Sequence, residues 1–475
     1  MCRGLPPPKI PGVTASDRFP HSGTPQFHTR DGELYCEGLR AAELVAEHGT
    51  PLYVYSANAI RDRYQVLRSA FGDDALICYA VKANPNLAIL RELHALGAGF
   101  DIVSGGELAR LRRAGLPTAQ VVFAGVGKTR PEIEAAVDAG ILGFHVESEQ
   151  ELALIERVAA AQGERVGVAL RLNPDVTVAT HAYISTGAGE HKFGLDRATA
   201  SRLALRIADS GALRLAGYHV HLGSQLGDPA PYARAFDRVE DFLDADPRHR
   251  QDARYFDLGG GVGIAYGDGG ELCDVAAIAA AVAPRIRARG LRPVLEPGRY
   301  LVGDAGVLLT RVLGTKLGTS KRFLIVDAAM NDLLRPALYA AHHPIVPLRS
   351  PGRPAVANFD VVGPVCETGD FLGRGVALPA LDDGELLAIL AAGAYGSSMA
   401  SNYNSRCRPA EVLVDGLSLL AFLNTRTVRF KVIAVGACCH PKLHIAHKLL
   451  GEQLTVVIGL QNSDGEPVGG RRVCS

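Results

Sequence analysis

The chain has 475 residues, which is long enough for a large buried core and for more than one domain. Apolar residues make up 47% of the sequence and charged residues 21%, and 50 basic side chains balance 50 acidic ones. This balance argues against a nucleic-acid or membrane partner. The sequence has no apolar run of signal-peptide or membrane-spanning length, and its nine scattered cysteines are typical of reduced thiols. We therefore expect a cytoplasmic protein, and its size favours an enzyme.

Strand and helix patterns alternate along most of the chain. After a proline-rich start, a strand is predicted at 33–36 and a short helix at 41–47. Short apolar strands are then predicted at 75–83, 99–104, 121–125, 143–148, 166–173, 217–224, 255–261 and 293–298. Amphipathic helical patterns lie between them, as at 87–96, 106–114, 149–161 and 275–288. Eight such units predict an α/β fold, specifically a (β/α)8 barrel, with a doubly wound open sheet as the main alternative.

The alternation stops near residue 297. Strands are predicted at 303–316, 323–327, 358–363, 385–391 and 411–414, which indicates a second, mostly β C-terminal domain. This domain could also recruit the early segment 33–55. The predicted domains are an N-terminal segment contributing to the β domain (1–50), the barrel (51–296), the β domain (297–430) and an unmatched tail (431–475).

Polar residues stand at the carboxyl ends of the predicted barrel strands. Lys82 is one of them, and a buried lysine that loses solvation has a lowered pKa and a free amine for Schiff-base chemistry. A lysine that reaches from the strand end to solvent is the ordinary alternative. Because barrel enzymes carry their chemistry at this face, the following residues are expected to meet in one pocket. They are Lys82, Asp101, Ser104, Gly125, Glu147, Arg171, Asn173, His221, Ser224, Gly259, Gly260, Gly261 and Glu296.

Three of these features match the needs of a pyridoxal 5'-phosphate site. Such a site requires a lysine, a backbone cradle for the phosphate and a partner for the pyridine nitrogen. Lys82, the glycines at 259–261 and Glu296 supply them in turn, and His221 could stack on the ring. Taken singly, a glycine run is more often a tight turn, and a lone histidine is more often a core residue.

Four motifs together resemble the signatures of the fold-type III pyridoxal-phosphate decarboxylases. They are YAVKAN (79–84), HLGSQ (221–225), GGG (259–261) and EPGR (296–299). The motifs LRPALY (334–339), CETGD (366–370), GAY (393–395) and SNYNSR (401–406) are similar to those of the members that act on meso-2,6-diaminopimelate. The resemblance covers about residues 30–416 and implies a barrel paired with a C-terminal β domain.

The resemblance also implies a role for each matching residue. Lys82 would form the internal aldimine with pyridoxal phosphate, and Cys366 would be the catalytic proton donor. The other cofactor-binding residues would be His221, Ser224, Gly260, Gly261, Glu296, Gly298, Arg299 and Tyr395. The substrate-binding residues would be Arg299, Arg335, Tyr339, Glu367 and Tyr395. Cys366 and Glu367 would reach into the partner's pocket across a homodimer interface.

The implied reaction is decarboxylation of meso-diaminopimelate at its D centre to L-lysine and CO2, the last step of lysine biosynthesis. Two alternatives stay open at this point. One is another fold-type III decarboxylase, acting on ornithine, arginine or carboxynorspermidine, and the other is a non-catalytic regulatory homologue. No metal site is predicted, because the cluster of Cys438, Cys439, His440 and His444 in the tail lacks a second ligand pair at zinc-finger spacing.

Overall fold

The computed structural model describes residue 19 and residues 21–176, 193–250, 252–267, 273–350, 352–423, 443–450, 453–461 and 467–473. Residues 1–426 form one compact unit and residues 427–475 form another. Within the described ranges, no helix is both long and apolar enough to cross a membrane.

The strands and helices of the first unit follow the chain in this order. The strands are β1 (Phe27–Arg30), β2 (Glu33–Cys36), β3 (Leu39–Arg40), β4 (Leu52–Ser56), β5 (Leu76–Ala80), β6 (Gly99–Ile102), β7 (Val121–Phe123), β8 (Gly143–Val146), β9 (Val166–Arg171), β10 (Leu213–His219), β11 (Tyr255–Asp257), β12 (Arg292–Leu295), β13 (Gly306–Leu317), β14 (Arg322–Val326), β15 (Ile345–Pro347), β16 (Ala357–Val362), β17 (Phe371–Leu378), β18 (Leu386–Ile389), β19 (Ala410–Asp415) and β20 (Ser418–Leu423). The helices are α1 (Ala41–His48), α2 (Ala57–Phe71), α3 (Leu87–Ala95), α4 (Gly105–Arg113), α5 (Arg130–Asp138), α6 (Glu149–Gln162), α7 (Arg197–Ala208), α8 (Ala230–Ala245), α9 (Val275–Ala288), α10 (Arg299–Val302) and α11 (Arg335–Tyr339).

Strands β5 to β12 form a closed barrel in which all neighbours are parallel, and β12 pairs with β5 to close the circle. The (β/α)8 prediction is therefore confirmed over the open sheet. The strands end earlier than predicted, because the polar residues that follow them turn out of the ladder. Strand β5 ends at Ala80, for example, and Lys82 lies in a single 3₁₀ turn, Val81–Ala83.

The second domain is a sheet with the strand order β17-β16-β14-β13-β4-β19-β20, to which β15 and β18 add through β13. Strand β4 lies inside the range predicted for the barrel, yet it pairs antiparallel with β13 and parallel with β19. The boundary at residue 51 therefore does not hold for β4, whereas the expected recruitment of segment 33–55 by the β domain does. All five residues of β4 are buried, and burial alone does not reveal which sheet a strand joins. The predicted mostly β character is confirmed, although β15, β17 and β20 were not predicted.

The N-terminal strands β1, β2 and β3 form a small sheet of their own. Its buried residues share an apolar core with the second domain, in which Phe27 and Leu34 pack with Val307 and Val412. Early segments therefore contribute both this small sheet and β4, whose Leu52 and Val54 pack in the same core.

Several helices that follow barrel strands begin with a side-chain cap. Ser104 accepts a hydrogen bond from Glu107 N before α4, and Ser148 accepts one from Glu151 N before α6. Asp274 caps α9 in the same way, which fixes the predicted start of that helix. Ser104 was expected in the pocket, but its hydroxyl serves the helix instead.

The second unit contains β21 (Leu443–Leu450), β22 (Gln453–Gln461) and β23 (Pro467–Val473), which form a three-stranded antiparallel sheet. Of the metal-binding residue types noted in the tail, Cys438, Cys439 and His440 lie outside the described residues.

Candidate active site

Lys82 lies immediately after β5 and contacts a buried carboxylate on the neighbouring strand. Its Nζ is 3.3 Å from Asp101 Oδ2, and 39% of the lysine side chain remains accessible. Burial by itself lowers the pKa of Lys82, but the charges of Asp101, Tyr395 and Glu296 outweigh it, so the pKa is raised. The expected lowering is therefore wrong in this structure. Burial and Glu296 raise the pKa of Asp101 to about 8, but the pKa of Lys82 is raised as well, so the proton of this pair rests on the lysine.

Glu296 follows β12 and is almost fully buried between two histidines. Its Oε2 is 3.2 Å from His219 Nε2, and its Oε1 is 3.3 Å from His145 Nδ1. Burial would raise the pKa of Glu296, but the two imidazoles hold it well below its usual range. The Oε1 atom has no hydrogen bond among the described residues. A buried, ionised and partly unsatisfied carboxylate at the barrel face fits a protonated pyridine nitrogen.

The glycine segment 259–261 is folded back against the neighbouring loops. A Cβ on Gly260 would lie 2.5 Å from Glu296 O, and Gly261 has φ +97°. Gly259 N donates to Asp257 Oδ1, and Gly260 N donates to His221 Nδ1 at 3.1 Å. Two of the three amides expected to hold a phosphate are thus used within the protein. The Gly260 amide orients the His221 ring with the proton on Nε2, and the cofactor contact of Gly260 stays a prediction.

Replacing Gly261 by alanine is expected to weaken cofactor binding and to cost about 1–3 kcal/mol in the free energy of unfolding. The new Cβ would lie 2.6 Å from Gly223 O in a backbone conformation that disfavours side chains. Gly227→Ala is the matched control, because a Cβ there meets nothing within 4 Å. Urea unfolding and cofactor titration measure both effects; equal behaviour of the two variants contradicts the expectation.

A cavity of about 400 Å³ lies at this face of the barrel. It is lined by Ser224, Gln225, Tyr266, Arg299, Arg335, Tyr339, Ala341, His342, Tyr395 and Met399. Tyr395 connects it to the lysine, since Tyr395 N donates to Ala83 O, next to Lys82. Gly298 allows this packing, because a Cβ there would lie 3.0 Å from that of Ala83.

Two buried arginines dominate the cavity wall. Arg299 and Arg335 are 8% and 7% exposed, and neither has a carboxylate within ion-pair distance among the residues that the structure describes. Arg299 donates to Tyr266 Oη at 2.6 Å and to Ser224 Oγ at 3.0 Å, and Arg335 stacks over the Tyr266 ring. Burying two unneutralised cations is costly, so this wall is built to receive an anion.

Cys366 and Glu367 are not part of this cavity. Both are exposed on the loop between β16 and β17. Cys366 N donates to Asn404 Oδ1 at 2.8 Å, and Glu367 Oε2 accepts from Tyr403 Oη at 3.4 Å. The catalytic roles that the resemblance implies for these two side chains, across a dimer interface, therefore stay predictions.

Four residues that the sequence reasoning missed organise the site: His145, His219, Tyr266 and His343. His219 lies two positions before His221, and alternate residues of a strand share a face, so this signal was present. His145 is a polar residue inside an otherwise apolar strand. Tyr266 and His343 lie in loops, and no spacing rule connects them to either arginine.

We expect the protein to lose stability in acid because of the buried, stacked pair of His145 and His219. Burial lowers the pKa of His219 to about 4, whereas the unfolded chain has an ordinary histidine pKa of about 6.5. Between these values only the unfolded chain binds the proton, so the free energy of unfolding falls by about 3 kcal/mol as the pH drops. Asp101, with its raised pKa, acts in the opposite direction. The measurement is therefore the difference between the parent and His219→Asn in urea unfolding across this range; parallel pH profiles contradict it.

Three features together define a barrel-type pyridoxal-dependent decarboxylase. They are the closed parallel barrel, Lys82 beside the carboxylate of Asp101, and the buried carboxylate of Glu296. The profile of the family described as "Pyridoxal-dependent decarboxylase, pyridoxal binding domain" matches residues 57–303. Curated relatives and solved structures then narrow this class, and on their similarity the chain belongs to the diaminopimelate decarboxylase family.

The relatives cover about four fifths of this chain and nearly all of their own length. Diaminopimelate decarboxylase of Neisseria meningitidis serogroup A is 49% identical over 384 residues, which is 81% of this chain and 94% of the relative. The enzyme of Aquifex aeolicus is 45% identical over 398 residues, 83% of this chain and 94% of the relative. The structure of diaminopimelate decarboxylase from Helicobacter pylori, complexed with L-lysine, has a TM-score of 0.77 at 40% identity and covers 82% of this chain and 96% of that one.

Proposed function

We propose that this chain removes CO2 from the D centre of meso-2,6-diaminopimelate and releases L-lysine. The observation that carries this proposal is the pair of buried arginines, Arg299 and Arg335, without a carboxylate partner among the described residues. They line a cavity that adjoins Lys82 through Tyr395. A substrate with a carboxylate at its far end matches this wall, and the Helicobacter pylori relative binds L-lysine in its solved structure.

Pyridoxal phosphate, when bound, supplies a conjugated ring that takes up the electron pair left by the departing CO2. Lys82 would hold it covalently, and His221 would lie against the ring face. Glu296 would hold a proton on the pyridine nitrogen, and its two histidine neighbours support that role by keeping it ionised. Ser224, Gly261, Gly298 and Tyr395 would surround the phosphate.

The chain's own residues position the lysine and bind the far end of the substrate. Asp101 would hold the Lys82 amine in place through their 3.3 Å contact. Arg299, Arg335 and Tyr339 bind the distal carboxylate. Ornithine has no such carboxylate, so it would leave both arginines without a counter-charge.

The same proposal includes a homodimer with shared active sites. Cys366 of one chain would donate a proton to the reacting carbon, and Glu367 would bind the distal ammonium. Their exposure, away from the cavity of their own chain, supports this arrangement. The barrel of each chain would be the cofactor domain, with the second sheet carrying the shared loop.

The test is CO2 release from meso-diaminopimelate, ornithine and arginine by the parent and by Arg335→Gln. The parent is expected to act on meso-diaminopimelate, and the variant to show a KM for it raised by about 10²-fold. Arg349→Gln is the matched control, because the Arg349 side chain is 81% exposed in the second domain. Equal turnover of all three substrates by the parent would overturn the proposal, and absence of any turnover would favour a non-catalytic homologue.

A further inference from the structure

A buried histidine contacts Arg335 without lining the cavity itself. His343 is 2% exposed, and its Nε2 is 2.8 Å from Arg335 Nη1. Its Nδ1 is 2.9 Å from the backbone oxygen of Leu390. The imidazole therefore bridges a guanidinium of the cavity wall and the backbone that follows β18.

These two contacts determine the tautomer of His343. The Leu390 oxygen can only accept a hydrogen bond, so Nδ1 carries the proton. A guanidinium can only donate, so Nε2 must offer its lone pair to Arg335. The ring is therefore neutral, and burial together with the charge of Arg335 agrees with this by lowering the pKa of His343 to about 3.

A neutral hydrogen-bond acceptor can orient an arginine without neutralising its charge, which a carboxylate cannot do. Aspartate or glutamate in this place would also hold the guanidinium, but it would neutralise the charge that faces the cavity. His343 orients Arg335 and leaves its charge unpaired. Tyr266 contributes from the other side, because its ring lies against both Arg335 and the edge of His343.

We infer that His343 is a positioning residue that aims Arg335 at the distal carboxylate of the substrate while keeping the guanidinium charge available to it. This inference rests on the proposed function, since it deepens the account of how that carboxylate is recognised. His343 does not touch the substrate itself, so its effect is expected in binding rather than in the chemical step.

Two substitutions separate the two hydrogen bonds of the ring. Asparagine can reach the Leu390 oxygen but offers Arg335 no acceptor, whereas the glutamine amide oxygen reaches the Nε2 position. His343→Asn is expected to raise the KM for meso-diaminopimelate at least about tenfold, with kcat changed less than about threefold. His343→Gln is expected to keep KM within about threefold of the parent.

The matched control is His249→Asn. His249 is also buried, with Nδ1 2.9 Å from Phe242 O and Nε2 2.9 Å from Ser201 Oγ, but it packs among α7 and α8 outside the barrel. This variant is expected to lower the melting temperature without raising KM. The inference is overturned if His343→Asn and His343→Gln raise KM and lower the melting temperature to the same extent. It is also overturned if His343→Asn leaves KM unchanged.

Two further measurements do not depend on turnover. Pimelate has the carbon chain of the substrate and both carboxylates but no amine, and its Kd should rise about tenfold in His343→Asn.

In the parent holoenzyme labelled with nitrogen-15 histidine, His343 should give the neutral Nδ1–H signature near pH 6. An imidazolium or an Nε2–H signature would overturn the inference even if no variant folds. A parent that does not decarboxylate meso-diaminopimelate would instead count against the proposed function.

Discussion

Lys82→Ala is expected to lower kcat for CO2 release from meso-diaminopimelate by on the order of 10⁴-fold. The substitution removes the amine that is proposed to hold the cofactor, and it leaves Asp101 buried without its cation. The raised pKa of Asp101 lets that carboxyl take up a proton, so the variant should still fold. Steady-state assays beside thermal unfolding separate lost chemistry from lost structure.

Lys128 supplies an internal control for this experiment. Unlike the partly accessible Lys82, this lysine at the same end of the barrel is fully buried, and its Nζ donates to Gly125 O, His145 O and Glu151 Oε1. Three hydrogen bonds leave it no free position for a cofactor. Borohydride treatment of the parent should therefore attach the cofactor to the peptide that contains Lys82 and leave the Lys128 peptide unmodified; the reverse pattern would refute the assignment.

Glu296→Gln is expected to lower kcat by about 10²- to 10³-fold while the protein stays folded. Glutamine has nearly the same size, but it carries no charge and cannot stabilise a proton on a neighbouring ring nitrogen. The two histidines next to it would also lose the anion that they contact. The measurement is kcat together with the absorbance of the bound cofactor.

A matched substitution in the second domain controls for burial. Glu411 is 6% exposed on β19 and accepts a hydrogen bond from Tyr55 Oη at 2.8 Å. Glutamine can keep that hydrogen bond, so Glu411→Gln should retain activity within about threefold of the parent. If Glu296→Gln and Glu411→Gln behave alike, the carboxylate of Glu296 has no special role.

Much of the architecture was readable from local patterns. Apolar runs bounded by turn residues predict the eight barrel strands, and helix α9 begins and ends as its periodicity indicates. The errors lie where local patterns are silent. Strand β4 is buried throughout, and only its long-range pairing with β13 and β19 reveals the sheet to which it belongs.

The candidate site divides in the same way. Lys82, Glu296 and the glycine segment are recognisable because their motifs are contiguous in the chain. The protonation state of Lys82 cannot be recognised in this way, because its pKa depends on Asp101 in the next strand and on Glu296 after the last strand. The three glycines are equivalent in the sequence pattern. Only the folded loops show that the Gly260 amide donates a hydrogen bond to His221.

By itself, the sequence determined the fold class, the lysine and the family resemblance, since each of these rests on short contiguous patterns. The tertiary structure alone decided which charges are neutralised. No local pattern states that Arg299 and Arg335 lack a carboxylate among the described residues, or that a neutral His343 stands behind one of them. Electrostatic pairing depends on distances between segments far apart in the chain, and those distances exist only after the barrel and the second sheet have formed.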